Sequence, residues 1–441
     1  MDSIRKLTAA LALLALVSTS AGCAKGPVVA REMLADPTMR FKSGRPIAAL
    51  ELPSPQSDDP LPPNTVTTRI QVNADPGAAV KGTWLESTLR GSVEIIGGFG
   101  IEAGYGVEYR NQLEQKLDGF DGPLNDTCAS HGPDVALVLD DGTSVLRTGY
   151  RLRMAWDGWL HEPSVRARTS VLSRDTVVEV GYRRSISAVT IPADKLPARD
   201  PVDDDYNIDR LFVAIEQGFL PGWNLRLDLA MQIEEGFLQN PYRLVSLWSH
   251  RDNLEPQGIP RTEPENHPDS RIRWGALFRV RWLIQSINAA LEFGAGYGSG
   301  SWRVEHSLAQ VAYLQRIGDQ FTLSLRGGAY HQTRALFYRD DYPDGPAGAY
   351  WSADRQLSSF VAWWADLGFS WSTFAERGRL IGMFKYFTLE TGLRVLQANY
   401  AWEGMGSDNG FTNAASLAAT ERKWFGGGFT IGGFLSVEGG F

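Results

Sequence analysis

The 441 residues include 46 glycines and 14 tryptophans, 21% are charged, and the formal charge is -8. At a mean hydropathy of -0.21 the chain offers no run of about 18 apolar residues beyond its first segment, which excludes insertion into a membrane by helices. The charge is mild and no Lys/Arg run stands out, so nothing supports nucleic-acid binding.

The first segment, MDSIRKLTAALALLALVSTSAGC, places Arg5 and Lys6 before an apolar stretch from Leu7 to Val17 and then small residues. That is the pattern of an export signal over residues 1–22. Ser20, Ala21, Gly22 and Cys23 resemble the lipobox of bacterial lipoproteins, with Ser20 where a leucine is usual. The resemblance makes Cys23 the lipid attachment site and the first residue of the mature chain. The alternative is ordinary cleavage nearby, which leaves Cys23 to pair with Cys128 in an oxidising compartment, these two being the only cysteines. Acylation of Cys23 would leave Cys128 a lone thiol, which is no metal site.

Residues 24–82 change character, with prolines at 27, 37, 46, 53, 55, 60, 62, 63 and 76 and little periodicity. They read as a Pro-rich tether or plug rather than a core. Their start, CAKGPVVAREMLADPTM, resembles a family of very small bacterial lipoproteins through Arg31, Leu34, Ala35, Pro37 and Met39. Val29 and Glu32 stand in place of that family's tryptophan and glycine.

From residue 83 onward strand follows strand. Leu146, Thr148, Tyr150, Leu152, Met154 and Trp156 alternate with Arg147, Arg151 and Arg153, and Val165, Ala167, Thr169 and Val171 alternate with Arg166 and Arg168. The same period of two runs through NLRLDLAMQ, RWGALFRVRWLI and AALEFGAGY. Further segments near 83–96, 99–109, 174–190, 207–217, 303–315, 320–331, 356–372, 379–397 and 421–441 bring the total to about 14 strands, within a range of 12 to 16. Residues 110–145 are left as a long connection, expected to fold into the lumen.

Three features select lipid rather than a soluble sandwich. The segments match the roughly 9 to 11 residues of a tilted bilayer crossing. Trp156, Trp223, Trp282, Trp302, Trp371 and Trp424 fall at segment ends, as in aromatic girdles. Connections alternate between short ones, such as LSRD, LPGW and RIGDQ, and long ones at 191–206, 233–269, 332–355 and 398–420. The prediction is an all-β transmembrane antiparallel barrel over residues 83–441, in the outer membrane of a Gram-negative bacterium. At its end, Phe429, Ile431, Leu435, Val437 and Phe441 alternate with Thr430, Ser436 and Glu438, so the last strand is expected to close against the first. Phe441 resembles the terminal signal read by the barrel-assembly machinery, which with outer-membrane lipid makes the expected partners.

A closer resemblance lies in residues 236–345, through Asn240-Pro241-Tyr242-Arg243, Pro268-Asp269-Ser270-Arg271, Trp302, His306, Gln332 and Phe337-Tyr338-Arg339. These residues resemble an uncharacterised, domain-of-unknown-function family of predicted Gram-negative outer-membrane barrels. The resemblance implies fold and location and supplies no reaction. Together with the lipoprotein-like start it implies an envelope redox context, with flavin-attaching and thioredoxin-like proteins as partners. The residues themselves show no redox centre and no cofactor site.

The expected facing turns Glu86, Glu94, Glu102, Glu108 and Glu438 inward as an acidic wall, beside a basic wall of Arg147, Arg151, Arg153, Arg166, Arg168 and Arg183. Opposed walls in a water-filled pore would set up a transverse field that orients polar solutes. The alternative pairs Glu102 and Glu108 with Arg147, Arg151 and Arg153 and fills the interior. His306 and Ser307, adjacent on a strand, point to opposite faces and cannot share a catalytic site, and His331 is expected at the outer rim. His161, His250 and His267 read as loop residues without metal-ligand spacing. The acidic stretches 203–209 and 339–345 could bind divalent cations at the cell surface, but their spacing is not that of an EF-hand loop and they read as solvated loops. No enzyme and no metal site is expected. Passage of small polar or charged solutes is the leading function, ahead of a non-conducting scaffold or receptor barrel and, further behind, an outer-membrane hydrolase.

Overall fold

The computed structural model describes residues 64–440 except 76–79, 115–124, 156–157, 172–175, 192–201, 221, 239–243, 248–260, 319, 340–341, 343–347, 353–356, 375–385 and 401–424. Its strands are β1 (Thr65–Asp75), β2 (Val80–Ile96), β3 (Phe99–Glu114), β4 (Asn125–Asp140), β5 (Ser144–Ala155), β6 (Gly158–Val171), β7 (Thr176–Ile191), β8 (Val202–Leu220) and β9 (Trp223–Gly236). There follow β10 (Leu244–Leu247), β11 (Arg261–Pro264), β12 (Ser270–Ile284), β13 (Ala289–Gly300), β14 (Glu305–Ile317), β15 (Phe321–Gln332), β16 (Phe360–Phe374), β17 (Tyr386–Tyr400) and β18 (Phe425–Gly440). β10 and β11 form a separate hairpin, and the other sixteen close into one antiparallel barrel in which each strand pairs with its chain neighbour and β18 returns to β1.

The barrel thus has sixteen strands where about 14 were expected, and the two additional ones correct two boundaries. β1 lies inside the segment read as tether or plug, so the wall begins at Thr65, not at residue 83. β4 occupies the stretch read as a long inner connection. The partner of β18 is accordingly β1, in the register Thr65↔Gly440 to Ala74↔Ile431, and not the strand near 83–96. Phe441 and the residues before 64, with Cys23, lie outside the described residues.

Alternation decides which side each residue faces. On the outside, Ile70, Leu137, Val180, Ile215, Leu229, Phe278, Phe293, Val311, Leu325, Leu367, Leu393 and Leu435 stay exposed all the way round. Aromatic contacts bracket this apolar band. Trp223 and Trp282 stack with centroids 5.4 Å apart, and Phe321 meets Phe369, at one end. Trp274 meets Tyr297 near the other. Trp302 is a correction: it is 6% exposed and packs among loops, not in a girdle.

The two ends differ. Both the start of β1 and the end of β18 lie at the end with short turns, where Gly97 and Gly98 join β2 to β3 and Gln285–Ile287 form one turn of 3-10 helix ending on left-handed Asn288. Gly98 (φ +83) is needed there, because a Cβ would run into the carbonyl of Asp140, whose amide bonds Gly98 O at 2.7 Å. The opposite end carries the long connections. The strands themselves reach up to 19 residues in β8, which absorbs the acidic stretch 203–209 that was read as a loop. His161 also sits on a strand, β6, facing outward beside Tyr150 and Trp159.

Candidate functional site

A strand in a closed barrel must put every second side chain inside, and here the inside is charged. Glu102 on β3 accepts from Arg147 at 2.9 Å and from Arg90 at 3.1 Å. Asp134 on β4 takes Arg151 at 2.8 Å and Arg153 at 3.1 Å. Glu162 on β6 faces Arg151 (3.1 Å), Arg183 (3.5 Å) and Arg210 (3.7 Å). Glu179 on β7 joins Arg166 to Arg226, and Arg226 continues to Glu216 and to Asp228. Asp228 then holds Arg279 at 2.6 Å, and Glu292 receives Arg279 and Arg281. The ladder runs from β2 to β13, ten consecutive staves of the wall.

The register explains why Glu162 and Asp228 are shared. Arg147 lies directly opposite Arg166, Arg183 opposite Arg210, and Arg226 opposite Arg279. Like charges opposite one another across a ladder repel. Glu162 reaches both Arg183 and Arg210, and Asp228 both Arg226 and Arg279, which removes that cost and gains charge-assisted hydrogen bonds, whereas Arg147 and Arg166 go to separate acids, Glu102 and Glu179. Among the described residues ten arginines of this ladder share seven carboxylates.

The expected acidic and basic walls are therefore not separate. Arg147, Arg151, Arg153, Arg166 and Arg183 do turn inward, each onto an acid. Glu102 reaches Arg147 as the alternative reading had it, but across β4, over the small Ala136. Asp134, the acid for Arg151 and Arg153, lies on the strand that sequence reasoning missed. Glu108 is buried on the same face of β3, and Glu94 accepts the Gly98 amide at 3.1 Å near the short-turn end. Glu438 accepts the Thr67 hydroxyl at 3.4 Å across the closing seam. Glu86 stands opposite Glu108 on β2, and its side chain lies outside the described residues. Arg168 differs from the other arginines of its set. It faces inward opposite Glu179 but is exposed, while Glu179 goes to Arg166 and Arg226; Arg168 has no ion pair among the described residues.

Glycines control how far these side chains project. Arg90 is paired with Gly104, where a Cβ would come within 2.9 Å of its Cγ, and Gln310 is paired with Gly294 at 2.8 Å. Arg153 crosses Gly132 and ends over Gly106, 2.7 Å from where a Cβ would be. Phe212 over Gly181, His306 over Gly298 and Trp364 over Gly328 are tighter still, each ring covering the glycine directly opposite it. A glycine on one strand lets the facing side chain lie along the wall instead of pointing at the axis.

At the long-loop end a second assembly forms. Tyr206 and Ile208, inward on β8, pack with Phe237, Leu238, Trp302, Val304, Ala335, Tyr338 and Leu357 from the loops. The loops after β9 and β15 are joined by backbone bonds between Asn266 and Trp351 and by the Ser352 hydroxyl donating to Glu265 at 2.7 Å. The Tyr342 hydroxyl donates to the Phe337 carbonyl at 2.6 Å and accepts the Ser352 amide at 2.7 Å. Burial raises the pKa of Tyr342, so it stays a donor. The buried His267 packs edge-on to Trp302, and Arg271 lies over the same indole, 4.3 Å from the ring centroid. Residues singled out by family resemblance, Arg271, Trp302, Phe337 and Tyr338, thus meet in this loop layer, whereas Asn240 to Arg243 lie outside the described residues.

Among the described residues the histidines form no catalytic constellation. His306 is buried on the inner face beside Tyr330, whereas Ser307 faces out opposite His331. No group of three or more His, Cys, Asp or Glu suited to a metal occurs among the described residues.

A family model described as "Protein of unknown function (DUF3570)" matches residues 167–402. Among solved structures, a bacterial polysaccharide outer membrane secretin is 8% identical at a TM-score of 0.48, covering 86% of this chain and 99% of its own. The ferric enterobactin receptor PfeA of Pseudomonas aeruginosa is 9% identical at 0.40, over 78% of this chain and 55% of its own. OccD3 (OpdP) of the same species is 11% identical at 0.39, over 86% and 91%. A catalase from Danio rerio is 27% identical over 130 residues, which are 22% of this chain, and the chain spans 24% of that relative's length.

Proposed function

Because this chain belongs to the DUF3570 family of proteins of unknown function, we propose its role from the chemistry of its own barrel: an outer-membrane pore passing small polar or charged solutes. Lipid is the medium that suits an uncovered apolar band between aromatic ends, since a closed antiparallel barrel leaves no open strand edge. The short-turn end is then periplasmic and the long-loop end external. The N-terminal segment, with or without a lipid on Cys23, enters the wall from the periplasmic side. Barrel-assembly machinery and envelope proteins on that side are its partners in this reading.

The observation that carries conduction is the flattened lining of a sixteen-stranded wall, in which glycines face Phe212, His306, Gln310 and Trp364. Sixteen strands is the size at which barrels hold an aqueous channel rather than a side-chain core. The chain is not an enzyme in this reading, which rests on the arginines and acids that dominate the described inner face, most of them committed to ion pairs.

The loop layer favours a second reading, a non-conducting receptor or scaffold, because its packing draws the long connections inward over β8. Single-channel recording separates the two. Steady openings are expected from the full chain or from a variant lacking residues 24–63, a truncation that spares β1. Silence from both, with the barrel correctly folded, would leave the receptor reading.

A further inference from the structure

We infer that the lumen prefers small oxyanions, carboxylates or phosphates, and that Arg168 is a specificity-determining residue near its periplasmic mouth; this deepens the pore reading and rests on it. Ten arginines of the ladder reach seven carboxylates among the described residues, and Glu94, Glu108 and Glu234 face inward on the same strands, so the preference rests on an exposed guanidinium in an arginine-lined path and not on a surplus of fixed charge. Rings of arginine favour anions in a narrow aqueous path, where the low-dielectric wall focuses the field.

The kind of cation matters here, not the count. Every cationic side chain in the ladder is a guanidinium, although the chain contains lysine elsewhere. A guanidinium offers planar paired donors that match two oxygens of a carboxylate or phosphate, whereas an ammonium acts as a point charge. Chloride satisfies the charge and not the geometry, so the ladder distinguishes oxyanions from halide.

Arg168 is where an arriving anion finds an unoccupied donor. It stands on β6 three residues before the strand ends at the short-turn mouth, exposed, with Glu179 already committed to Arg166 and Arg226. Arg326 on β15 is also inward and exposed, on the far side of the barrel by strand order, but it stands opposite Asp366 and acts on Glu390. From Arg168 the next guanidinium on the same face is Arg166, and beyond it Arg183 and Arg151. An oxyanion can therefore exchange one shared carboxylate for itself at each step.

The test uses the full chain in planar bilayers. Under a KCl gradient the reversal potential is expected on the anion-selective side, and inorganic phosphate added to one compartment should reduce the chloride current. Arg168→Gln, which breaks no ion pair among the described residues, should weaken the phosphate block at least about twofold, while Arg184→Gln on the outer face should leave it unchanged. A cation-selective current, or a block that Arg168→Gln does not alter, would overturn the inference and leave the pore standing. No current from folded protein would overturn both.

Discussion

Trp364 on β16 stands directly opposite Gly328 on β15, and its ring covers that glycine on the lumen side. Replacing Gly328 with valine forces the indole off the wall and toward the axis. Gly328→Val is expected to cost about 1–3 kcal/mol by overpacking and to lower single-channel conductance, while Trp364→Ala raises it. Recording both variants in one bilayer system checks the pair. Equal conductance in all three proteins would show that the ring does not border the conducting path.

Glu102 holds two guanidinium groups and is 3% exposed. Glu102→Gln removes the carboxylate that Arg90 and Arg147 share and is expected to destabilise the barrel by about 3–5 kcal/mol. Adding Arg147→Gln should recover part of the loss. Denaturant unfolding in detergent, followed by tryptophan fluorescence, measures both.

The outer face tolerates charge far less than the inner one. Phe293 is exposed on the outside of β13, toward the middle of the strand, whereas Gln310 on neighbouring β14 faces the lumen. Phe293→Arg should cost about 2–4 kcal/mol in a bilayer, and Gln310→Arg should cost far less. Refolding yield into vesicles gives the comparison, and a reversed order would invert the assigned faces.

The loop layer has its own signature. Tyr342→Phe removes the donor to Phe337 O and the acceptor for Ser352, so proteolysis of the external loops in whole cells should accelerate while the barrel stays intact. The pH dependence has a definite sign. The packed hydroxyl titrates above its ordinary value of 10.0. Protection is therefore complete below that pH and declines as pH rises beyond it, since only the opened loop ionises there. Alkaline proteolysis of wild type should approach that of the variant.

The alternating strands were legible because lipid and lumen impose opposite demands on adjacent residues. β4 was not, for two local reasons. Its inward Ala136 and Val138 turn Val135 to Leu139 into an unbroken apolar run, and Gly132-Pro133 interrupts the pattern with a residue that cannot donate to the ladder. β1 was hidden by the prolines before it, although Val66, Thr68, Ile70 and Val72 alternate with Thr67, Arg69 and Gln71. The missing β4 concealed Asp134, and without Asp134 the arginines of β5 looked like a bare basic wall. The ion pairs themselves depend on which strands adjoin and in what register, information that no single strand contains.

Thr67 and Glu438 meet at the closing seam although 371 positions separate them in the chain. Every other junction of the wall joins consecutive barrel strands and can zip up as the chain arrives, with little loop entropy to overcome. The seam alone must wait for the last strand, and until then β1 and β17 each present an unpaired edge open to wrong partners. The closing of this barrel is therefore a single late step at a known address. A chain shortened by only β18 would be a curled sheet prone to aggregate rather than a smaller barrel.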